Sequence, residues 1–222
     1  MEFTVRDKKI SVFGNVGINV PIVYLNTVHG EGPTVWEACQ KMCCPPFILA
    51  EISGLNWDHD MSPWAIPPIA PGDTPCTGGA DEYLALLIEE IVPAVEDKIS
   101  GEPSCRALAG YSIAGLFALY TAYQTDLFTR IASVSGSLWF PKFMKYVLSH
   151  EMKASVSHLY LSLGDKEAKT HNPYLKIVEE NTETIFDHFK EKGLRTTFEL
   201  NPGNHFQQPN ERTAAGIVWI LK

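Results

Sequence analysis

Compact apolar runs alternate with amphipathic stretches along nearly the whole chain. That is the pattern of strands joined by helices. "FTVRDKKISVFG" (3–14) reads as a short antiparallel hairpin, and "VPIVYLN" (20–26) as a compact buried strand. "PTVWEACQKM" (33–42) reads as a helix with Pro33 early in its first turn. "FILAEIS" (47–53) is the next strand. The second half repeats the alternation. "CRALAG", "RIASVSG", "HLYLSLG" and "RTTFEL" read as strands. Between and after them, 113–123, "PKFMKYVLSH", "PYLKIVEENTETIFDHFKEKG" and "PNERTAAGIVWIL" read as helices. Gly193 suits the C′ position of the third of these. Strands joined by helices imply a mainly parallel sheet with helices on both faces, and ligands bind such sheets at the carboxyl ends of the strands.

One segment has no period. "GLNWDHDMSPWAIPPIAPGDTPCTGG" (54–79) is rich in Pro, Gly and Trp. A loop this long is functional or disordered, and Trp57 and Trp64 argue against disorder. The following "ADEYLALLIEEIVPAVEDKI" carries a helical apolar stripe, with a kink predicted at Pro93.

Composition narrows the classes. The chain has 222 residues, 45% hydrophobic and 20% charged, which fits one α/β domain over 1–222 with a large core. A net charge of −8 argues against nucleic acid and against an acidic membrane surface as partners. No stretch is apolar for long enough to span a bilayer, and "MEFTVRDKKI" has no apolar core after its charges. The odd set Cys39, Cys43, Cys44, Cys76 and Cys105 reads as reduced thiols of a cytoplasmic protein, without finger-like zinc spacing. In "NWDHD", Asp58, His59 and Asp60 are consecutive and lack a distant third ligand, so no metal is expected.

The candidate chemistry lies in "AGYSIAGLFALY" (109–120), where Ser112 falls between a strand and a helix. The bland reading is a tight turn with a bystander serine. A G-x-S-x-x-G string arises by chance in about one chain in ten of this length. The sharper reading is a nucleophile elbow. There the residues two before and two after the serine must be small, and Gly110 and Ala114 are small. The familiar G-x-S-x-G pattern would have glycine at 114. An alanine methyl is the mildest departure from it.

A serine hydroxyl needs a base, and in this architecture the chain order is Ser, acid, His. His205 lies in "ELNPGNHFQQPNER", a glycine-containing loop after the last strand. His171 also follows a strand and stays open as a second candidate. The other five histidines read as surface or structural residues. The acid is Asp165 or Glu167, just past Gly164. Glu167 is preferred, because a carboxylate directly after the strand end is too close to the sheet to swing under the imidazole. The amide of Ile113, with that of Thr27 or Val28, is expected to form an oxyanion hole. Trp57, Trp64 and Trp139 are candidate walls of a substrate pocket.

Together "PIVYLN", "NWDHDMSPW", "TGGADEYLALLIEEIVPAVE", "GYSIAG", "SVSGSLWFP", "YLSLGDKEAKTHNP" and "GNHFQQPNERTAAGIVWIL" resemble an α/β-hydrolase of the putative-esterase family. This group includes esterase D and the enterochelin-esterase-like enzymes. The resemblance implies hydrolysis of a small or medium carboxylic ester through an acyl-serine intermediate, with no cofactor and no separate lid domain. An acyltransferase on the same scaffold, or a binding protein with a degenerate elbow, are the alternatives. The natural ester and the oligomeric state are not readable.

Overall fold

The computed structural model describes residues 1–14, 19–99 and 101–222. The N-terminal hairpin pairs β1 (Glu2–Val5) with β2 (Lys8–Phe13), antiparallel. Six parallel strands follow: β3 (Ile22–Asn26), β4 (Ile48–Ser53), β7 (Arg106–Tyr111), β8 (Arg130–Val134), β9 (His158–Gly164) and β10 (Arg195–Asn201). The sheet order is β1-β2-β4-β3-β7-β8-β9-β10, with β2 antiparallel to β4. The expected mainly parallel sheet is therefore present. The chain leaves β3 toward β4 on one side and returns as β7 on the other. That reversal opens a crevice at the carboxyl ends of β3 and β7.

Helices cover both faces. On one face α1 (Gly32–Lys41) and α8 (Pro209–Leu221) pack against a core that includes Val23, Leu25, Leu49 and Tyr160. On the other, α5 (Ile113–Gln124) is covered by α3 (Ala80–Leu86), α4 (Val92–Glu96) and α6 (Phe143–Ser149), and α7 (Val178–Glu191) joins the same core. Every residue from Ile113 to Tyr123 is buried, which is why this stretch is apolar on all sides rather than striped. Burying each of Leu116, Phe117 and Leu119 stabilises the fold by about 1.5–3 kcal/mol. The kink expected at Pro93 takes the form of a π-helical turn, Leu87–Ile91, between α3 and α4. The wider turn accommodates a proline that has no N–H to give the preceding turn.

The aperiodic segment is ordered by local pairing. It folds into a short helix, α2 (Trp57–Asp60), and a two-stranded ribbon, β5 (Ala65–Ile66) with β6 (Cys76–Thr77). Asp60 fastens it to the hairpin: its carboxylate takes the Lys8 ammonium at 2.9 Å and the Asn56 amide at 2.9 Å. Burial alone would lower the Lys8 value, but its hydrogen bonds to Asp60 and Asp7 outweigh that and raise it. Among the described residues no helix is long and apolar enough to cross a membrane.

His158, at the start of β9, is buried beside Trp219. Burial, then the charges of Arg130 and Arg195, push it down from 6.5 to about 4. The folded chain therefore keeps this imidazole neutral while the unfolded chain protonates it. Stability is full above the unfolded value and is lost as pH falls from about 6.5 toward 4. The urea midpoint of the wild type should drop between pH 7 and 5, and that of His158→Phe should drop less. Identical slopes for the two would show that His158 does not carry the effect.

Candidate active site

Ser112 sits between β7 and α5 with φ 60 and ψ −125, a conformation that non-glycine residues rarely adopt. The turn is held by backbone bonds. The Ser112 amide donates to the Val134 carbonyl, and the Ser137 amide donates to the Ser112 carbonyl, each at 3.0 Å. A side chain at Gly110 would land on the Ala114 carbonyl and methyl. A Cβ at Gly115 would lie 3.0 Å from both the Gly110 carbonyl oxygen and the Gly136 Cα. Strand and helix thus meet at their closest where the sequence is small.

The loop after β10 brings His205 over this turn. Its Nε2 lies 3.0 Å from Ser112 Oγ, and its Nδ1 lies 2.7 Å from Glu167 Oε2. Glu167 comes from the loop after β9, with its side chain 6% exposed. Burial would raise its value, but the hydrogen bond and charge of His205 outweigh burial and hold it below the ordinary carboxylate range. The Gly164 amide also donates to Glu167 Oε1, at 2.6 Å.

Asp165 does not touch the imidazole. Its Oδ1 accepts the Gly203 amide at 2.7 Å, so it fastens the loop that carries His205. The short side chain directly after the strand end reaches the neighbouring loop and no further. His171 is exposed and lies outside the cavities at Ser112.

The two oxyanion-hole candidates after β3 are separated by their hydrogen bonds. The Thr27 amide, one residue beyond β3, donates to the Ile52 carbonyl at 2.9 Å, so it is engaged and is set aside as an oxyanion donor. The Val28 amide has no partner among the described residues. Ile113 is the first residue of α5, where no intrahelical acceptor exists for its amide. Glu51 shapes the loop between Thr27 and α1. It takes the Thr27 hydroxyl at 2.9 Å and the Gly32 amide at 2.6 Å, and burial pushes its carboxyl up. A side chain at Gly32 would strike that carboxylate.

Two cavities meet at Ser112. The first, about 310 Å³, has apolar walls that include Val28, Val35, Tyr111 and Phe206, together with His205. The second, about 380 Å³, is walled by Trp139, Asp58, Asp73 and Thr74, together with Ile113. Trp57 borders both. Trp64 borders neither, contrary to expectation. Its ring packs on Phe140, Phe143 and Tyr146, and its Nε1 donates to the Pro141 carbonyl at 2.9 Å. The apolar cluster on α6 offers that indole more contact than the open cavity. In "NWDHD" the three side chains diverge: Asp58 to Thr74, His59 to Thr77 and Asp60 to Lys8.

Sequence reading missed two residues here. The Tyr111 hydroxyl donates to the His205 carbonyl at 2.6 Å, and the two rings lie 5.2 Å apart. Its place beside the serine was the available signal. Arg212, in the first turn of α8, is 3% exposed and donates from Nη1 to Glu167 Oε1 at 3.3 Å. Nothing in "PNERTAAG" distinguishes it from a solvated helix charge.

A family model described as putative esterase matches residues 56–207, more than half of the chain, including Ser112, Glu167 and His205 but neither the loop after β3 nor Arg212. The chain belongs to that esterase family. Among its relatives, the Bacillus subtilis protein YbbA is 23% identical over 161 residues, covering 71% of this chain and 64% of YbbA. The siderophore enterobactin esterase of Emericella nidulans is 37% identical over 90 residues, covering 36% of this chain and 30% of that protein. The matched segments thus span less than two thirds of the length of either relative. An IroE-like serine hydrolase from Shewanella oneidensis superposes with a TM-score of 0.75 at 19% identity, over 96% of this chain and 75% of that one. At that identity the likeness is one of fold, and the fold of this esterase-family chain is that of the α/β-hydrolases.

Asp165→Ala should free the Gly203 amide. Loss of a hydrogen bond worth ~1 kcal/mol should speed amide hydrogen exchange across 202–207 by about five- to ten-fold. Asp165→Asn keeps an acceptor and should stay near wild type. Unchanged exchange in the alanine variant would show that other contacts hold this loop.

Proposed function

We propose that this chain is a carboxylic-ester hydrolase that works through an acyl-serine intermediate on Ser112. The observation that carries this reading is the unbroken chain from Ser112 Oγ through the His205 ring to Glu167, 3.0 Å and then 2.7 Å. One ring nitrogen faces the hydroxyl, and the other is held by a carboxylate that stays ionised.

Ser112 Oγ attacks the ester carbonyl carbon as His205 Nε2 accepts its proton. The carbonyl electron pair moves onto oxygen, where the Ile113 amide at the N-terminal end of α5 and the Val28 amide in the loop after β3 would bind it. The tetrahedral intermediate collapses, the C–O bond to the alcohol breaks, and the imidazolium gives its proton to the leaving oxygen. A water molecule, deprotonated by His205, then attacks the acyl-serine. Its collapse frees the carboxylic acid and restores Ser112.

The cavities support a reading of which side takes each half of the substrate. The leaving alcohol must lie on the side of His205, which protonates it. His205 borders the apolar cavity and not the acidic one. The alcohol therefore takes the apolar side, under Val28 and the 85% exposed Phe206, and the acyl group takes the side of Trp139, Asp58 and Asp73. Among the described residues, none bordering either cavity is Lys or Arg. Small-molecule esters with a neutral or ammonium-bearing acyl group fit this charge. Siderophore esters are the first natural class to test, given the name of the Emericella nidulans relative.

Ser112→Ala should lose on the order of 10⁶ in kcat, and Glu167→Gln on the order of 10⁴, on p-nitrophenyl butyrate. A clean Ser112→Ala preparation keeping a tenth of the wild-type rate would end the serine mechanism. The rate should fall on the acid side of its optimum. Because Glu167 is held ionised through that range, the limb should fit a single protonation, and a limb requiring two would contradict the role given to Glu167. With p-nitrophenol as a common leaving group, kcat/KM for the 4-aminobutyryl and butyryl esters should exceed that for the hemisuccinyl ester by about ten-fold. The reverse order would refute the acyl assignment while leaving the nucleophile untouched.

A further inference from the structure

Arg212 is a buried cation that the mechanism above does not use. It is 3% exposed, and a buried guanidinium is costly unless its donors are met. Its fork meets three loops. Nη1 donates to Glu167 Oε1 at 3.3 Å, in the loop after β9. Nη2 donates to the Pro202 carbonyl at 2.9 Å, in the loop that leads to His205. Nη1 also lies 3.4 Å from Ser135 Oγ, in the loop after β8 that backs the Ser112 turn. Room for the fork comes from Gly164, where a Cβ would stand 2.9 and 3.1 Å from the two terminal nitrogens.

We infer that Arg212 is a positioning residue of this site, holding Glu167 in register for His205 and using its charge to keep a proton off the Glu167–His205 pair. The carboxylate geometry carries the first half. Oε1 is engaged by Arg212 and by the Gly164 amide, so Oε2 is left facing His205 Nδ1 at 2.7 Å. Rotation of the carboxylate would break all three bonds. The charge carries the second half. A fixed cation against an acid–base pair whose carboxylate is buried opposes the uptake of a further proton by that pair.

The other groups around the pair do not duplicate that charge. Tyr111 and Tyr160 are phenols whose values are raised, burial first, so they stay neutral. The Tyr160 hydroxyl is committed to Glu199. The Asp165 carboxylate faces the Gly203 amide. Among the described residues, Arg212 is the fixed cation bonded to Glu167, and the other side chain bonded to it is the His205 imidazole.

The inference rests on the esterase reading, and its test separates the two. The acidic limb of kcat/KM on p-nitrophenyl butyrate is measured for wild type, Arg212→Met and Arg212→Lys. Arg212→Met should move that limb to higher pH by about half a unit or more and lower kcat by about a hundred-fold, with KM within about two-fold. Arg212→Lys keeps the charge without the fork, so the limb should stay in place while kcat falls about ten-fold. A limb unmoved in Arg212→Met, with equal losses of kcat in both variants, would reduce Arg212 to packing. If Arg212→Met does not fold, the lysine change is repeated in Glu167→Gln. An arginine acting through Glu167 then costs no more than about two-fold further, and a full ten-fold loss there would overturn the inference. Failure of the esterase reading has a different signature, a wild-type rate that survives Ser112→Ala.

Discussion

The close approach of α5 to β7 is the constraint from which the site follows. The chain turns from a central strand into a helix with a single residue, Ser112, at the corner. Such a turn demands an unfavourable backbone angle at that residue and almost no volume around it. Gly110, Gly115 and Gly136 supply the missing volume, each sitting where a side chain would strike backbone or a buried hydroxyl, and Ala114 is the residue that a Cβ at Gly110 would strike. The strain has a return. The corner lifts the serine hydroxyl clear of the sheet and leaves the Ile113 amide beside it without a partner among the described residues, at the positive end of a helix. Burial of α5 on every side resists relaxation of the turn.

Parallel topology does the remaining assembly. Strands β3, β7, β8, β9 and β10 all end at one edge of the sheet, so the loops that leave them are neighbours however far apart they lie in sequence. The reversal between β3 and β7 places the Val28 loop beside Ser112. The adjacency of β9 and β10 places Glu167 under His205, 38 residues away along the chain. Loops on a shared edge still need fastening. Tyr111 holds the His205 carbonyl, Asp165 holds the Gly203 amide, and Arg212 spans three loops at once.

This division explains what could be read in advance. Strand ends are visible in sequence because apolar runs stop there, so Ser112, Glu167 and His205 could each be set at the carboxyl edge. The side-chain reach of a carboxylate one or three residues past Gly164 also has a simple geometric content. Fasteners carry no such mark. Arg212 reads as an ordinary polar residue in the first turn of an amphipathic helix, and its burial depends on loops drawn from three distant segments. Thr27 and Val28 differ by one residue in where sheet hydrogen bonding stops, and strand boundaries are blurred at that scale. Trp64 illustrates the limit for aromatic residues: the same indole suits a pocket wall or a packed cluster, and the position of α6 decides between them.

Two buried glutamates show how the fold turns one residue type to two uses. Among the described residues Glu51 meets a hydroxyl and a backbone amide and no cation, and burial raises its carboxyl. It serves the loop after β3 as an acceptor, a task that does not require full charge. Glu167 is buried as well, yet it faces His205 on one oxygen and Arg212 on the other, and its carboxyl is lowered. Burial penalises both carboxylates, and the second meets an imidazole on one oxygen and a guanidinium on the other. The difference lies in which strands end beside them: β3 and β4 bring a threonine and a helix start to Glu51, whereas β9, β10 and α8 bring a histidine and an arginine to Glu167. The charge that orients the imidazole is thus a property of the sheet order, and the side chain alone could not supply it.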